Sequence, residues 1–410
     1  MPFRLALSGL NAAQSDLTVT ANNIANVATT GFKGSRAEFS DLFAATQQGV
    51  SATAIGNGVK VSNVSQQFSQ GNIDFSDNSL DLAMSGNGFF VLNDGGAVTY
   101  TRAGAFQVDN NGYVVNSKGN RLQVYPPLAN GGFNTGGLGD LSLSTGVSAP
   151  QATTSVNALL NLPANATAPA TATFDPTDTT SFNNATSLTI YDSLGAAHTA
   201  SMYYVKTANP NEWQTHLYVD GTAVNGPGGV AAQTLQYSDT GALVTPAAGH
   251  LQWGPYTPAT GAAAINMDFD YRQTSQYGQN FTVNSVTQDG FTTGRLIGID
   301  IGQSGIVQAR FTNGRSNPLG QIAVANFANP QGLQQLGDTQ WAETFSSGQA
   351  IRGEAGNSGF GIIQAGALEA SNVDITSQLV NMITAQRDFQ ANAQMISTAD
   401  SITQTIINIR

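Results

Sequence analysis

A chain of 410 residues with net charge -11, no cysteine and only 10% charged side chains has room for two or three domains. The same figures exclude disulfides, thiolate metal sites and a nucleic-acid backbone as the main partner. Ordinary globular chains carry roughly 25% charged residues. Here uncharged Asn, Gln, Ser and Thr, with 45 glycines, fill the gap, a composition suited to β-turns and to surfaces that meet other protein.

The opening MPFRLALSGLNAAQSDL lacks a basic segment followed by a long apolar core, so no cleaved secretory signal is expected. Phe3, Leu7, Leu10, Gln14, Leu17, Ala21, Ile24 and Ala28 instead step by four and three along a helix. The stretch ANNIANVATTGFKGSRAEFSDLF, residues 21–43, then closes that helix with amides and hydroxyls, which suggests a helix end packed against copies of itself. After a pliable stretch around Gly56 and Gly58, the period changes to two. GNGFFVLND and AVTYTRAGAFQVDNNGYVVNSKGNRLQVY predict short strands joined by Asn-Gly and Lys-Gly turns. Val98, Tyr100, Phe106 and Val108 alternate with polar neighbours, as half-buried strands should. A Gly-, Pro- and Thr-rich stretch places a boundary near Gly146. A second β set follows, with Leu188, Ile190, Met202 and Tyr204 facing its core. Further strands lead to a C-terminal helix, on which Ile375, Leu379, Met382, Gln386, Phe389, Ala393 and Ile396 repeat the stepping, with Asn372 or Asp374 as candidate cap.

Chemistry is sparse. His198, His216 and His250 have no carboxylate at helical spacing. The sequences DFDY and DNNG lack EF-hand spacing. There is no nucleophile elbow, no P-loop, no dinucleotide fingerprint, and no run approaching the roughly 18 apolar residues of a membrane span. We therefore expect no catalytic, cofactor or metal residue. The terminal stripes are open to two readings: an intramolecular hairpin docked on the chain's own β structure, or the buried layer of an oligomer.

Residues 21–43 and the C-terminal LEASNVDITSQLVNMITAQRDFQANAQMISTADSITQTIINI resemble the paired ends of the bacterial flagellar rod and hook axial proteins. SGNGFFVLNDGGAVTYTRAGAFQVDNNGYVVNSKGNRLQVY is similar to the β domain those proteins share. The insert containing YDSLGAAHTASMYYVK is similar to the outer domain of the hook branch. The resemblance implies a mixed, mainly β, nested subunit. Residues 1–30 plus 366–410 would form an inner coiled-coil domain and 31–70 a connecting segment. Residues 71–145 plus 281–365 would form a middle β domain, and 146–280 an inserted outer β domain. Leu7, Leu10, Leu17, Ile24, Leu379, Met382, Phe389 and Ile396 would then pack between subunits, and Phe32, Lys33, Arg36, Phe39 and Phe43 would make connector contacts, the two bases either pairing with acids across an interface or staying solvated. The implied role is a self-assembling curved tube that passes torque from rod to filament. The implied partners are further copies of the chain, distal rod, hook cap and hook–filament junction proteins, and the flagellar export apparatus; the implied place is the extracellular flagellum, without membrane insertion. A distal rod-type protein and, in a different class, a secreted β-rich adhesin stay open as alternatives.

Overall fold

The computed structural model describes residues 2–42, 56–129, 131–143 and 146–408; Phe43 and part of the connecting segment lie outside them. The fold is mainly β, with a helix at each end of the chain. Contacts divide it into two compact units: Met1–Thr145, Gly298–Arg310 and Ser316–Arg410 in the first, Gly146–Ile297 and Phe311–Arg315 in the second.

In the first unit α1 (Pro2–Ala25) and α2 (Ile375–Asn408), about 36 and 51 Å long at 1.5 Å per residue, pack against each other. The seam uses small side chains. Ala6, Ala13 and Thr20 are buried at seven-residue spacing on α1, and Ala385 is buried on α2. At Gly9 an added Cβ would sit 2.5 Å from Asn392 Oδ1, so the Asn392 side chain occupies the space that a side chain at position 9 would need. Helix α2 starts where Asp374 Oδ1 accepts from the Ser377 backbone N–H at 2.7 Å, an N-cap. Strands β1 (Ser35–Asp41) and β2 (Val59–Gln66) form a separate antiparallel hairpin against α1.

The main sheet of this unit runs through Ile306–Phe311, Ser316–Asn326, Arg121–Tyr125, Phe89–Asp94, Ala97–Thr101 and Gln340–Ala342. Both faces are covered. Phe90, Leu92, Leu122, Ile322 and Val324 fill one core, while Phe89, Val91, Tyr100, Ala323, Ala325 and Trp341 fill the other. That two-sided burial explains the unbroken apolar run FFVL. The alternation expected of half-buried strands is not what forms: in Ala97–Thr101 the first two residues are exposed and the last three buried, so Val98 is open and Tyr100 closed, while Phe106 is buried and Val108 exposed.

The second unit is a sandwich of two sheets. One has the order Asn184–Tyr191, Ala197–Lys206, Glu212–Val219, Gln233–Tyr237, Leu243–Thr245; the other has the order His250–Tyr256, Ile265–Asp270, Ser155–Pro163, Ser275–Tyr277. Alternate residues of both meet in a single core that includes Leu160, Ile190, Met202, Tyr204, Trp213, Trp253 and Phe269, with Leu188 packed at its margin.

Candidate self-assembly site

The root of the two helices is a polar node that the chain builds for itself. Gly31, at φ 68°, turns the chain out of α1, and its N–H reaches the Glu369 carbonyl at 2.7 Å. Lys33 then points inward. Its Nζ donates to Glu369 Oε1 at 2.6 Å and to the Ser69 carbonyl at 2.8 Å. Arg102 donates to Glu369 Oε2 at 3.3 Å and to the Gly86 carbonyl at 2.9 Å, and the Gly71 N–H completes the carboxylate at 2.9 Å. The Lys33 and Glu369 side chains are wholly buried. Burial pulls the Lys33 pKa below its ordinary value, an effect that Glu369 only partly offsets.

The amides of this region are also used within the chain. Asn23 is buried; its Oδ1 accepts from Ser35 N–H at 2.8 Å, and its Nδ2 donates to the Ser35 carbonyl at 2.7 Å and to Gln378 Oε1 at 3.2 Å. Asn372 Oδ1 accepts from Gly34 N–H at 2.8 Å, and its Nδ2 donates to the Gln67 carbonyl at 2.6 Å. The expectation that Lys33 pairs across a subunit interface is therefore corrected: it pairs with an acid 336 residues away in its own chain. The polar end of α1 likewise serves the fold of the single chain, since a buried amide or ammonium must find a partner wherever it lies.

Beyond the node the helices change character. Ser15, Thr18, Thr384, Thr398, Ser401, Thr403 and Thr405 each donate to the carbonyl four residues earlier, so their hydroxyls are satisfied inside the helix. Only Arg387, Asp388 and Asp400 are charged within the 34 residues of α2. Large apolar side chains are nonetheless left open: Val380 at 58%, Ile383 at 50%, Met395 at 52% and Ile402 at 56% exposure, with Phe3 on α1. Across the seam, burial and then the charge of Asp388 raise the Asp16 pKa.

The expected packing residues fall into two groups. Leu7 and Leu379 are exposed, whereas Leu10, Leu17, Ile24, Met382, Phe389 and Ile396 are half-buried beside the seam. Of the connector residues, Phe32 is half-buried, Phe39 is exposed, and Arg36 is exposed against Glu38 at 3.3 Å. Val380, Ile383 and Met395 were not anticipated. The tandem pairs Leu379-Val380, Met382-Ile383 and Met395-Ile396 are the signal for them, because adjacent apolar residues widen a helix's apolar surface beyond one stripe. Among the described residues no group of His, Cys, Asp and Glu is arranged to hold a metal, and no helix is long and apolar enough to cross a membrane.

Comparison with known proteins agrees with this layout of ends and middle. Residues 3–33 match the family described as "Flagella basal body rod protein" and 364–409 "Flagellar basal body rod FlgEFG protein C-terminal". Residues 83–168 match "Flagellar hook protein FlgE/F/G D1 domain" and 161–291 "Flagellar basal body protein FlaE D2 domain". The chain is 38% identical to the flagellar hook protein FlgE of Salmonella typhimurium LT2 and 39% to that of Escherichia coli K12, with all of each chain covered. In fold it is similar to the crystal structure of Helicobacter pylori flagellar hook protein FlgE2, with a TM-score of 0.54 at 15% identity, over 72% of this chain and 100% of that one. Full-length identity at this level, on a chain whose two ends and both β units match in order, shows that it belongs to the flagellar hook protein family.

Proposed function

We propose that this chain is the structural subunit of a curved helical tube, the hook, and that it polymerises by burying the open apolar faces of α1 and α2 against the same helices of other copies. The observation that carries the reading is the distribution of side-chain size on the helices. Small residues form the contact within the chain, while Val380, Ile383, Met395 and Ile402 remain exposed on a helix with three charges. A face of that kind is poorly suited to water and well suited to a protein layer. Contacts of different patches on successive copies do not close on themselves and so generate a helical polymer.

In this reading residues 1–30 plus 366–410 make the shared helical layer. The acidic insert, residues 146–280, faces solvent, and its eight acids against two bases favour wet contacts that break and reform as a rotating, bent tube passes torque. Distal rod, hook cap and junction proteins would meet the two ends of the polymer, and the flagellar export apparatus would deliver the chain. No residue is assigned a catalytic role.

The test is Ile383→Asp. Burying a whole Ile side chain contributes about 1.5–3 kcal/mol; covering the half of Ile383 still open would contribute about 1 kcal/mol, which every copy would lose while gaining a carboxylate to desolvate. We expect no tubes by electron microscopy, with both β units folded by circular dichroism. Tubes of ordinary length would overturn the assignment, and straight tubes from the unaltered chain would move it from the hook to the rod.

A further inference from the structure

We propose that Asp192, His198 and Asp220 form a protonation-sensitive clasp that fastens one end of the sandwich in the second unit, closed when the imidazole carries two protons and loosened when it carries one. The His198 ring lies between two carboxylates. Its Nδ1 is 2.6 Å from Asp220 Oδ2 and its Nε2 is 3.3 Å from Asp192 Oδ2. The ring and Asp192 are buried, whereas Asp220 is partly open to solvent. Each carboxylate anchors a different turn. Asp192 Oδ1 accepts from the Leu194 and Ala196 N–H groups at 2.9 and 2.8 Å, and its Oδ2 accepts from the Thr260 hydroxyl at 2.8 Å. Asp220 Oδ1 accepts from Thr199 N–H at 2.8 Å, and its Oδ2 accepts from Tyr256 OH at 3.3 Å. The titratable groups facing the ring are therefore Asp192 from the turn after Asn184–Tyr191, Asp220 from the turn after Glu212–Val219, and Tyr256 from the opposite sheet.

Ionised carboxylates only accept hydrogen bonds, so both ring nitrogens must donate for both contacts to hold, which requires imidazolium. When one proton leaves, the shorter contact keeps the remaining one at Nδ1. The Nε2 lone pair then faces Asp192 Oδ2, acceptor against acceptor, in a buried site. Asp192 is also the group that ties Thr260, in the loop before Ile265–Asp270, to the other sheet. Loosening is therefore directed at the 192–196 turn and the 257–264 loop.

The titration directions agree. For His198, burial acts downward most strongly, but the hydrogen bonds and charges of Asp220 and Asp192 together outweigh it and raise the pKa above its ordinary value. For Asp192, burial acts upward, but hydrogen bonds led by Thr260 outweigh it and bring the pKa down to about 2. A raised histidine gives stability that is complete below its unfolded value and is lost as pH rises through the folded one; a depressed carboxylate gives stability lost as pH falls through its folded value. The clasp is closed between the depressed titration of Asp192 and the raised titration of His198, and it loosens as pH rises through the latter.

The experiment follows the His198 ring of the full chain by NMR from pH 5 to 9, with amide exchange corrected for intrinsic rates at Leu194, Ala196 and Ala263, the last of which donates its N–H to Ser193 Oγ at 3.0 Å. We expect a midpoint above the unperturbed value of roughly 6.5 and a loss of protection on the order of tenfold through it. In Asp192→Asn the amide donates to neutral Nε2 while its oxygen still accepts, so the step vanishes and protection persists at pH 9. A midpoint at or below the unperturbed value, flat protection through the titration, or a step that survives in Asp192→Asn overturns the clasp. Should that variant not fold, the unaltered chain decides.

Discussion

The node at Glu369 yields an ordered pair of costs. Its carboxylate is the one acid facing two buried bases, Lys33 and Arg102, and Arg102 Nε is buried without a hydrogen-bond partner. Glu369→Gln keeps the shape but leaves two cations in a dry site without a counter-charge, a change that costs about 3–5 kcal/mol. Lys33→Met is milder, because Glu369 retains Arg102 and the Gly71 N–H, and the Ser69 carbonyl retains Asn372 Nδ2 at 3.1 Å. We expect about 1–2 kcal/mol for it. For a unit of some 250 residues each kcal/mol moves the midpoint by about 2–4 °C, so Glu369→Gln should lower the melting temperature of the first unit by about 6–20 °C. Calorimetry of the unpolymerised chain reads this directly, the transition of the second unit being assigned with Leu217→Ala in its own core. A Glu369→Gln shift no larger than that of Lys33→Met would refute the node, and so would a shift confined to the second unit.

Two further substitutions test the root of the helices and the β structure, beside the Ile383→Asp assembly test and the His198 titration. Asn23→Ala strands the Ser35 N–H and carbonyl and should cost about 1–3 kcal/mol, measured by urea denaturation; a change below about 0.5 kcal/mol would remove Asn23 from the supports of α1. Gly104→Ala places a Cβ 1.6 Å from the Leu82 carbonyl oxygen, so backbone must move, and we expect loss of the first unit's cooperative transition; a native-like transition would mean that the close approach is not required.

Periodicity made the two helices and the β middle legible, since both patterns are local. What it did not reveal is which face of α1 packs within the chain. The stripe chosen for size, Leu7, Leu10, Leu17 and Ile24, lies one residue, about 100° around the helix, from Ala6, Gly9, Ala13, Thr20 and Asn23, which make the intrachain contacts. Small residues permit close approach of two helices, and a reading that ranks residues by hydrophobic size passes over them. The node was not legible at all. Lys33 reads as a base for an acid across an interface, and nothing near it in the chain announces an acid 336 residues downstream. The clasp had one local sign, Asp192 six residues before His198, but Asp220 reaches the ring only through pairing of Ala197–Lys206 with Glu212–Val219.

That sequence separation also sets a timetable. The second unit is built almost entirely from one continuous stretch, Gly146–Ile297, whereas the first draws on three. A chain freed from one end first, in either direction, can close the second sandwich before the far terminal helix is available. Lys33 cannot meet Glu369 until everything between them, the second unit included, is free. The helix roots thus lock only after the stretch that builds the second unit has become available, and in the proposed assembly the faces that join neighbours are set no earlier.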